Sequence, residues 1–123
     1  FKLFVMKSIL ITLLAVFTFS LAQAQEKSDK KISESTFHVD GVCKMCKKRI
    51  EDAALRISGV KLAEWNKSTK ELRVIYKNTK TTEEEIQKAV SNRGHSTEKH
   101  EADTSAYKQL PNCCKYKDGV DTH

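Results

Sequence analysis

The sequence predicts an α+β fold: a ferredoxin-like βαββαβ sandwich whose four-stranded antiparallel sheet carries two helices on one face. Three observations predict it. Runs of alternating apolar residues and runs of helical spacing follow one another in the order β, α, β, β, α, β. Stop and turn signals sit at the junctions, at Ser58-Gly59, Asn66 to Lys70 and Gly94. The apolar side chains these runs turn inward, among them Phe37, Ile50, Trp65, Leu72 and Ile86, suffice for one small core at roughly 1.5 to 3 kcal/mol for each large residue.

The chain opens on an address rather than on structure. Lys7 leads into the apolar run Ile9 to Phe19, and Ala22-Gln23-Ala24 supplies the small-x-small pattern that signal peptidase reads. Residues 1–24 are therefore expected to be a signal peptide cleaved near Ala24, which places the product in the periplasm or outside the cell. Met6-Lys7 begins a signal of ordinary bacterial form, so Phe1 to Val5 read either as upstream translated sequence or as the product of a mis-set start. The apolar run falls short of the ~20 residues of a membrane span, and no stable membrane insertion is expected after cleavage. Removing 1–24 leaves 99 of 123 residues, and taking Lys2 and Lys7 from the 22 basic residues leaves 20 against 16 acidic ones. That surplus is mild. Its lysines are scattered among glutamates, with no dense arginine stripe and no aromatic stacking platform, which argues against nucleic acid as a partner.

Residues 25–34 lack periodicity and read as a flexible leader. The domain is expected over 35–101. Thr36 to Val42 alternates Phe37 and Val39 against polar neighbours, the pattern of a half-buried strand. Cys46, Ile50, Ala53, Ala54 and Ile57 then form a helical stripe opposite Lys47, Lys48, Glu51 and Arg56, and Ser58-Gly59 stops it. Val60 to Trp65 and the alternating Leu72, Val74 and Tyr76 make a hairpin about the turn Asn66 to Lys70. Thr81 with Glu84, or Thr82 with Glu85, offers a capping box for a second helix whose stripe is Ile86, Ala89 and Val90. Gly94 ends that helix, and His95 to Glu101 is expected as a short polar edge strand. Trp65 reads as a core aromatic, and Glu83-Glu84-Glu85 as a helix start favoured by the dipole.

Cys43 and Cys46 stand where the first strand gives way to the first helix. Free amides and the positive end of the helix dipole stabilise thiolates there, as do Lys47, Lys48 and Arg49. Two thiolates on one turn make either a pincer for a soft metal ion or a dithiol redox pair. Export permits disulfides, yet the four cysteines fall in two close pairs, 43 with 46 and 113 with 114. That grouping favours metal or exchange chemistry over structural bridging. Two thiolates suit Cu(I), whereas Zn(II) asks for four ligands.

These residues resemble the heavy-metal-associated domain family, which includes copper chaperones, the metal-binding domains of metal-transporting ATPases and the periplasmic mercury-binding protein. The carriers are Val39-Asp40-Gly41-Val42-Cys43-Lys44-Met45-Cys46, Ile50-Glu51, Gly59-Val60 and Gly94-His95. The resemblance implies the ferredoxin-like fold and a metal site in the loop holding Cys43 and Cys46. It departs from the family's Gly-Met-x-Cys-x-x-Cys pattern in that only Val42 separates Gly41 from Cys43, and Met45 lies between the cysteines.

His95 stands where the family's last loop approaches the metal, and reads either as a further ligand or as a solvated loop histidine. His38, His100 and His123 carry no such signal. The segment 102–123 contains Tyr107, Leu110, Pro111, Cys113, Cys114 and Tyr116; it is similar to Cys-Cys tails of exported bacterial members. It reads either as a disordered tail or as one that docks and presents sulfur. Docked, Cys43, Cys46, Cys113 and Cys114 make a four-thiolate site for Zn(II), Cd(II) or a pair of Cu(I) ions.

The expected protein is thus an exported metal binder and not an enzyme. It captures Cu(I) first, and Hg(II), Zn(II) or Cd(II) next, then sequesters the ion or transfers it. Its expected partner is a metal transporter or another metal-binding domain with an acidic face complementary to Lys44, Lys47, Lys48 and Arg49. The alternative is a periplasmic thiol-disulfide oxidoreductase with Cys43 attacking; against it stand the small sheet and a single proline, Pro111, outside the domain.

Overall fold

The computed structural model describes residues 31–119; the expected signal peptide and most of the expected leader lie outside the described residues. Three strands form one antiparallel sheet in the order β1-β3-β2: β1 is Ile32–His38, β2 Val60–Asn66 and β3 Glu71–Lys77. Helix α1, Lys44–Leu55, follows β1, and α2, Glu83–Ser91, follows β3. A short helix α3, Thr104–Lys108, and two 3-10 turns, Asn112–Cys114 and Tyr116–Asp118, complete the described chain.

Strand β1 begins at Ile32, inside the segment that composition assigns to the leader. The reason is polar: Ser33 and Ser35 lie on the Phe37 face and are held by hydroxyl and amide bonds, Ser35 Oγ with Tyr76 Oη at 3.3 Å and Asn78 Nδ2 to Ser33 Oγ at 3.0 Å. No apolar alternation marks those residues, but the main-chain ladder runs on to Ile32 opposite Lys77. The hairpin is as expected, with Ala63 opposite Val74 and Trp65 opposite Leu72. Its outer edge is covered from α1. Trp65 N–H donates to Glu51 at 2.9 Å, and Lys47, itself paired with Glu51, donates to the Trp65 carbonyl at 2.8 Å.

Residues 95–101 do not form the expected fourth strand, and among the described residues the sheet has three strands rather than four. Of the segment 95–101 only Thr97 bridges Val39, with Asp40 N–H donating to the Ser96 carbonyl at 2.9 Å. A carboxylate and a local backbone turn take the ladder's place. The Glu98 carboxylate accepts His38 N–H at 2.9 Å, and Thr97 closes a tight turn with the His100 carbonyl at 2.8 Å. With almost no apolar face to bury, the segment gains nothing from lying flat on the sheet.

Both helices bury the stripes their spacing sets. On α1, Cys46, Ile50, Ala53 and Ala54 are buried; on α2, Ile86 and Val90 are buried, and Ala89 only partly. The capping box is the Thr82 and Glu85 one. The core adds what the sequence left out: Gln87 is fully buried, its amide donating to Glu83 at 2.8 Å and accepting Lys99 N–H at 3.1 Å. Leu110 and Cys114, from the segment that follows, join the same core.

Candidate metal centre

The loop from Val39 to Cys43 is held from three sides. Val39 N–H donates to the Lys70 carbonyl, and Trp65 Nε1 donates to the Val39 carbonyl at 3.0 Å, so the buried indole braces the strand exit. Gly41 lies against that ring: a Cβ there would come within 2.9 Å of Trp65 Cζ2 and 3.1 Å of Cys46 Cβ. Any side chain at position 41 would therefore displace the indole or the cysteine.

Cys43 is the N-cap of α1, with extended backbone, and its sulfur accepts the Cys46 N–H at 3.4 Å. Burial pushes the Cys43 thiol up, but the bonds from the Cys46 amide and from the Cys46 and Cys114 thiols outweigh it, and the net shift is downward. Burial pushes the Cys46 and Cys114 thiols up, and at Cys114 the neighbouring Cys46 and Cys43 sulfurs push the same way. Among these three thiols ionisation therefore starts at Cys43.

The tail docks. Helix α3 is capped by Asp103, which accepts Ala106 N–H at 2.8 Å, so the segment turns helical at Thr104. It lies on Gly94, which has φ +99° and whose added Cβ would meet the Ala106 and Tyr107 backbone at 3.1 Å. Tyr116 fastens the far end: its hydroxyl donates to the Gly94 carbonyl at 2.8 Å and accepts Ser96 N–H at 3.0 Å. Tyr107 meets the Tyr116 ring edge-on at 5.2 Å, and Leu110 is buried.

Docking gathers the four cysteines, all free thiols. Cys43 Sγ lies 3.3 Å from Cys46 Sγ and 3.4 Å from Cys114 Sγ, and Cys113 Sγ lies 3.9 Å from Cys114 Sγ. The sulfurs of Cys43, Cys113 and Cys114 all lie within 4.8 Å of one another, the one such ligand group among the described residues. A tetrahedral set of metal–sulfur bonds of about 2.3 Å spaces its sulfurs about 3.8 Å apart. The Cys43, Cys113 and Cys114 sulfurs match that spacing to within about an ångström, while Cys46, 3.3 Å from Cys43, stands outside their group and must close towards Cys113 and Cys114 to complete a four-thiolate set around a soft cation.

His95 does not join that group, nor is it solvated. It is fully buried, with Nδ1 bonded to the Asp40 carbonyl at 2.8 Å and its ring stacked on Tyr116 at 5.6 Å. The carbonyl requires the proton on Nδ1, which leaves Nε2 as a buried lone pair without a protein hydrogen bond. Burial lowers its pKa to about 4, so the ring is neutral at pH 7. Its role is to join the Cys43 loop to the tail. One sulfur escaped the sequence reading of the site: Met45 Sδ stands 3.5 Å from Cys113 Sγ. Its position between the two cysteines was the available signal.

A small antiparallel sheet packed against two helices, with a CxxC pair at the exit of its first strand, defines the class of small cysteine-bearing metal-binding domains. Residues 36–96 match the heavy-metal-associated domain, and over them the chain belongs to that family. Among solved structures it is similar to a CopZ metallochaperone at 27% identity, covering 53% of this chain and 98% of that one with a TM-score of 0.51. It is similar also to the water-soluble region of the P-type ATPase CopA from Bacillus subtilis, at 31% identity over 54% of this chain and 44% of that one, TM-score 0.51. Oxidized MerP from Ralstonia metallidurans CH34 shares the fold at 22% identity, 54% and 93% coverage and a TM-score of 0.52. No curated protein matches the chain.

Proposed function

We propose that this is an exported protein that captures a soft metal ion, Cu(I) before Hg(II), Cd(II) or Zn(II), on Cys43 and Cys46, with Cys114 and Cys113 closing over it. The observation that carries the reading is the convergence of free thiols from two distant segments, Cys43 Sγ lying 3.3 Å from Cys46 Sγ and 3.4 Å from Cys114 Sγ. The family and the chaperone likeness support it. Of Cys43, Cys46 and Cys114, Cys43 gives up its proton most readily and is the first of the three to bind. Cys46 and Cys114 lose their protons only when the cation's charge offsets the cost of burying a thiolate, so uptake releases protons and weakens as pH falls. His95 acts as a positioning residue rather than a ligand.

Sequestration or transfer then turns on the tail. An incoming thiolate reaches Cys113, which is exposed, before the buried Cys46 and Cys114. A receiving transporter or metal-binding domain with an acidic face would be steered by Lys44 and Lys48, both exposed; Lys47 is engaged with Glu51 and the Trp65 carbonyl. The signal-like segment supports a periplasmic or secreted location. Replacing both Cys43 and Cys46 by Ser tests the site: stoichiometric high-affinity Cu(I) binding should vanish while the far-UV spectrum is kept. Retention of that affinity would sink the assignment.

A thiol-disulfide oxidoreductase is the second reading, favoured by one observation, the lowered Cys43 thiol 3.3 Å from Cys46. Metal-free insulin reduction with turnover would support it; tight stoichiometric uptake without turnover supports metal capture.

A further inference from the structure

Met45 is a soft donor that a CxxC site leaves unused. It lies on the first turn of α1, 51% exposed, and with Leu55 it is one of the large apolar side chains that the described surface leaves in solvent. Unlike Leu55 it faces sulfur, with its Sδ 3.5 Å from Cys113 Sγ. Cys113 is itself exposed and lies 3.9 Å from the buried Cys114. The five sulfurs therefore divide into an inner set, Cys43, Cys46 and Cys114, and an outer pair, Cys113 and Met45.

We propose that the outer pair is a second subsite selective for Cu(I), in which Met45 Sδ and Cys113 Sγ hold an ion that a Cys43 or Cys114 thiolate bridges to the ion of the inner set. This rests on the soft-metal reading above. Bridging is within reach, since Cys113 shares with Cys43 and Cys114 a group no wider than 4.8 Å. A thioether adds a ligand without adding another negative charge to a cluster already holding four thiolates. It is also a ligand that monovalent copper accepts, whereas Zn(II) draws on thiolate, imidazole and carboxylate. The outer subsite thus distinguishes copper from the divalent ions that the four cysteines alone would hold. Its exposure makes it the point where an ion enters or leaves.

Anaerobic Cu(I) titration of the signal-free full chain, followed by native mass spectrometry, tests this. The wild type should take up a second Cu(I), and Met45→Leu should stop at the first, with the affinity for that first ion and for Cd(II) within about twofold of wild type, a difference well under 1 kcal/mol. Cys113→Ser should also lose the second copper. A wild type that saturates with one Cu(I), or a Met45→Leu variant that still binds the second, overturns the subsite while leaving the inner site standing. Failure of the wild type to bind Cu(I) at all would overturn both.

Discussion

Burial without a countercharge governs His95. The ring gives its Nδ1 proton to the Asp40 carbonyl, stacks on Tyr116 and has no access to solvent. It protonates near 6.5 in an unfolded chain and near 4 in the fold. Between those values the unfolded state binds a proton that the native state refuses, so the stabilisation is whole above pH 6.5 and is lost as pH falls towards 4, by about 3 kcal/mol in all. Urea unfolding of the metal-free reduced protein should show this slope, and His95→Gln should flatten it; equal slopes in the two would locate the pH dependence elsewhere. The sequence offered a ligand or a solvated histidine and could not offer this third state. Nothing in Gly94-His95 announces that a tyrosine twenty-one residues on covers the ring.

Among the elements, the helices and the hairpin are legible because their apolar residues repeat at the spacing of the element and their ends carry caps. Val90 is fully buried on the core face of α2 and Lys88 is exposed. Val90→Asp should abolish cooperative unfolding by burying an unpaired charge, and Lys88→Asp should change stability by no more than about 0.5 kcal/mol. Equal melting temperatures for the two would mean the helix is turned otherwise. The ends of the sheet are less legible. At the start of β1 the inward positions are Ser33 and Ser35, whose burial is satisfied by hydrogen bonds that periodicity does not register. At the missing edge the Glu98 carboxylate occupies the place of a backbone acceptor, and a pattern of polar residues reads the same for a strand as for a loop.

At the scale of the whole molecule, the CxxC half of the site is legible because its chemistry is local, whereas its other half depends on where a second segment lands. Leu110, Tyr107 and Tyr116 decide that landing, and their role becomes visible only against Gly94, Ser96 and the ring of His95. Two changes separate the tail's sulfur from its packing. Cys114→Ala removes a ligand and leaves the aromatic latch, while truncation after Tyr107 removes Leu110 and Tyr116 as well, at a cost of roughly 1.5 to 3 kcal/mol for each large side chain. Both should loosen a four-coordinate ion, Cd(II) or Zn(II), by about tenfold or more, a little over 1.4 kcal/mol. The inner Cu(I) should be affected far less, because Cys43 and Cys46 already offer the two thiolates it needs. Only the truncation should also lower the melting temperature of the metal-free protein substantially, since only it exposes the core beneath Leu110. Thiolate-to-Cd(II) absorption read through a titration counts the sulfurs directly: an identical count and affinity in wild type and Cys114→Ala would mean that the docked tail covers the site without entering it.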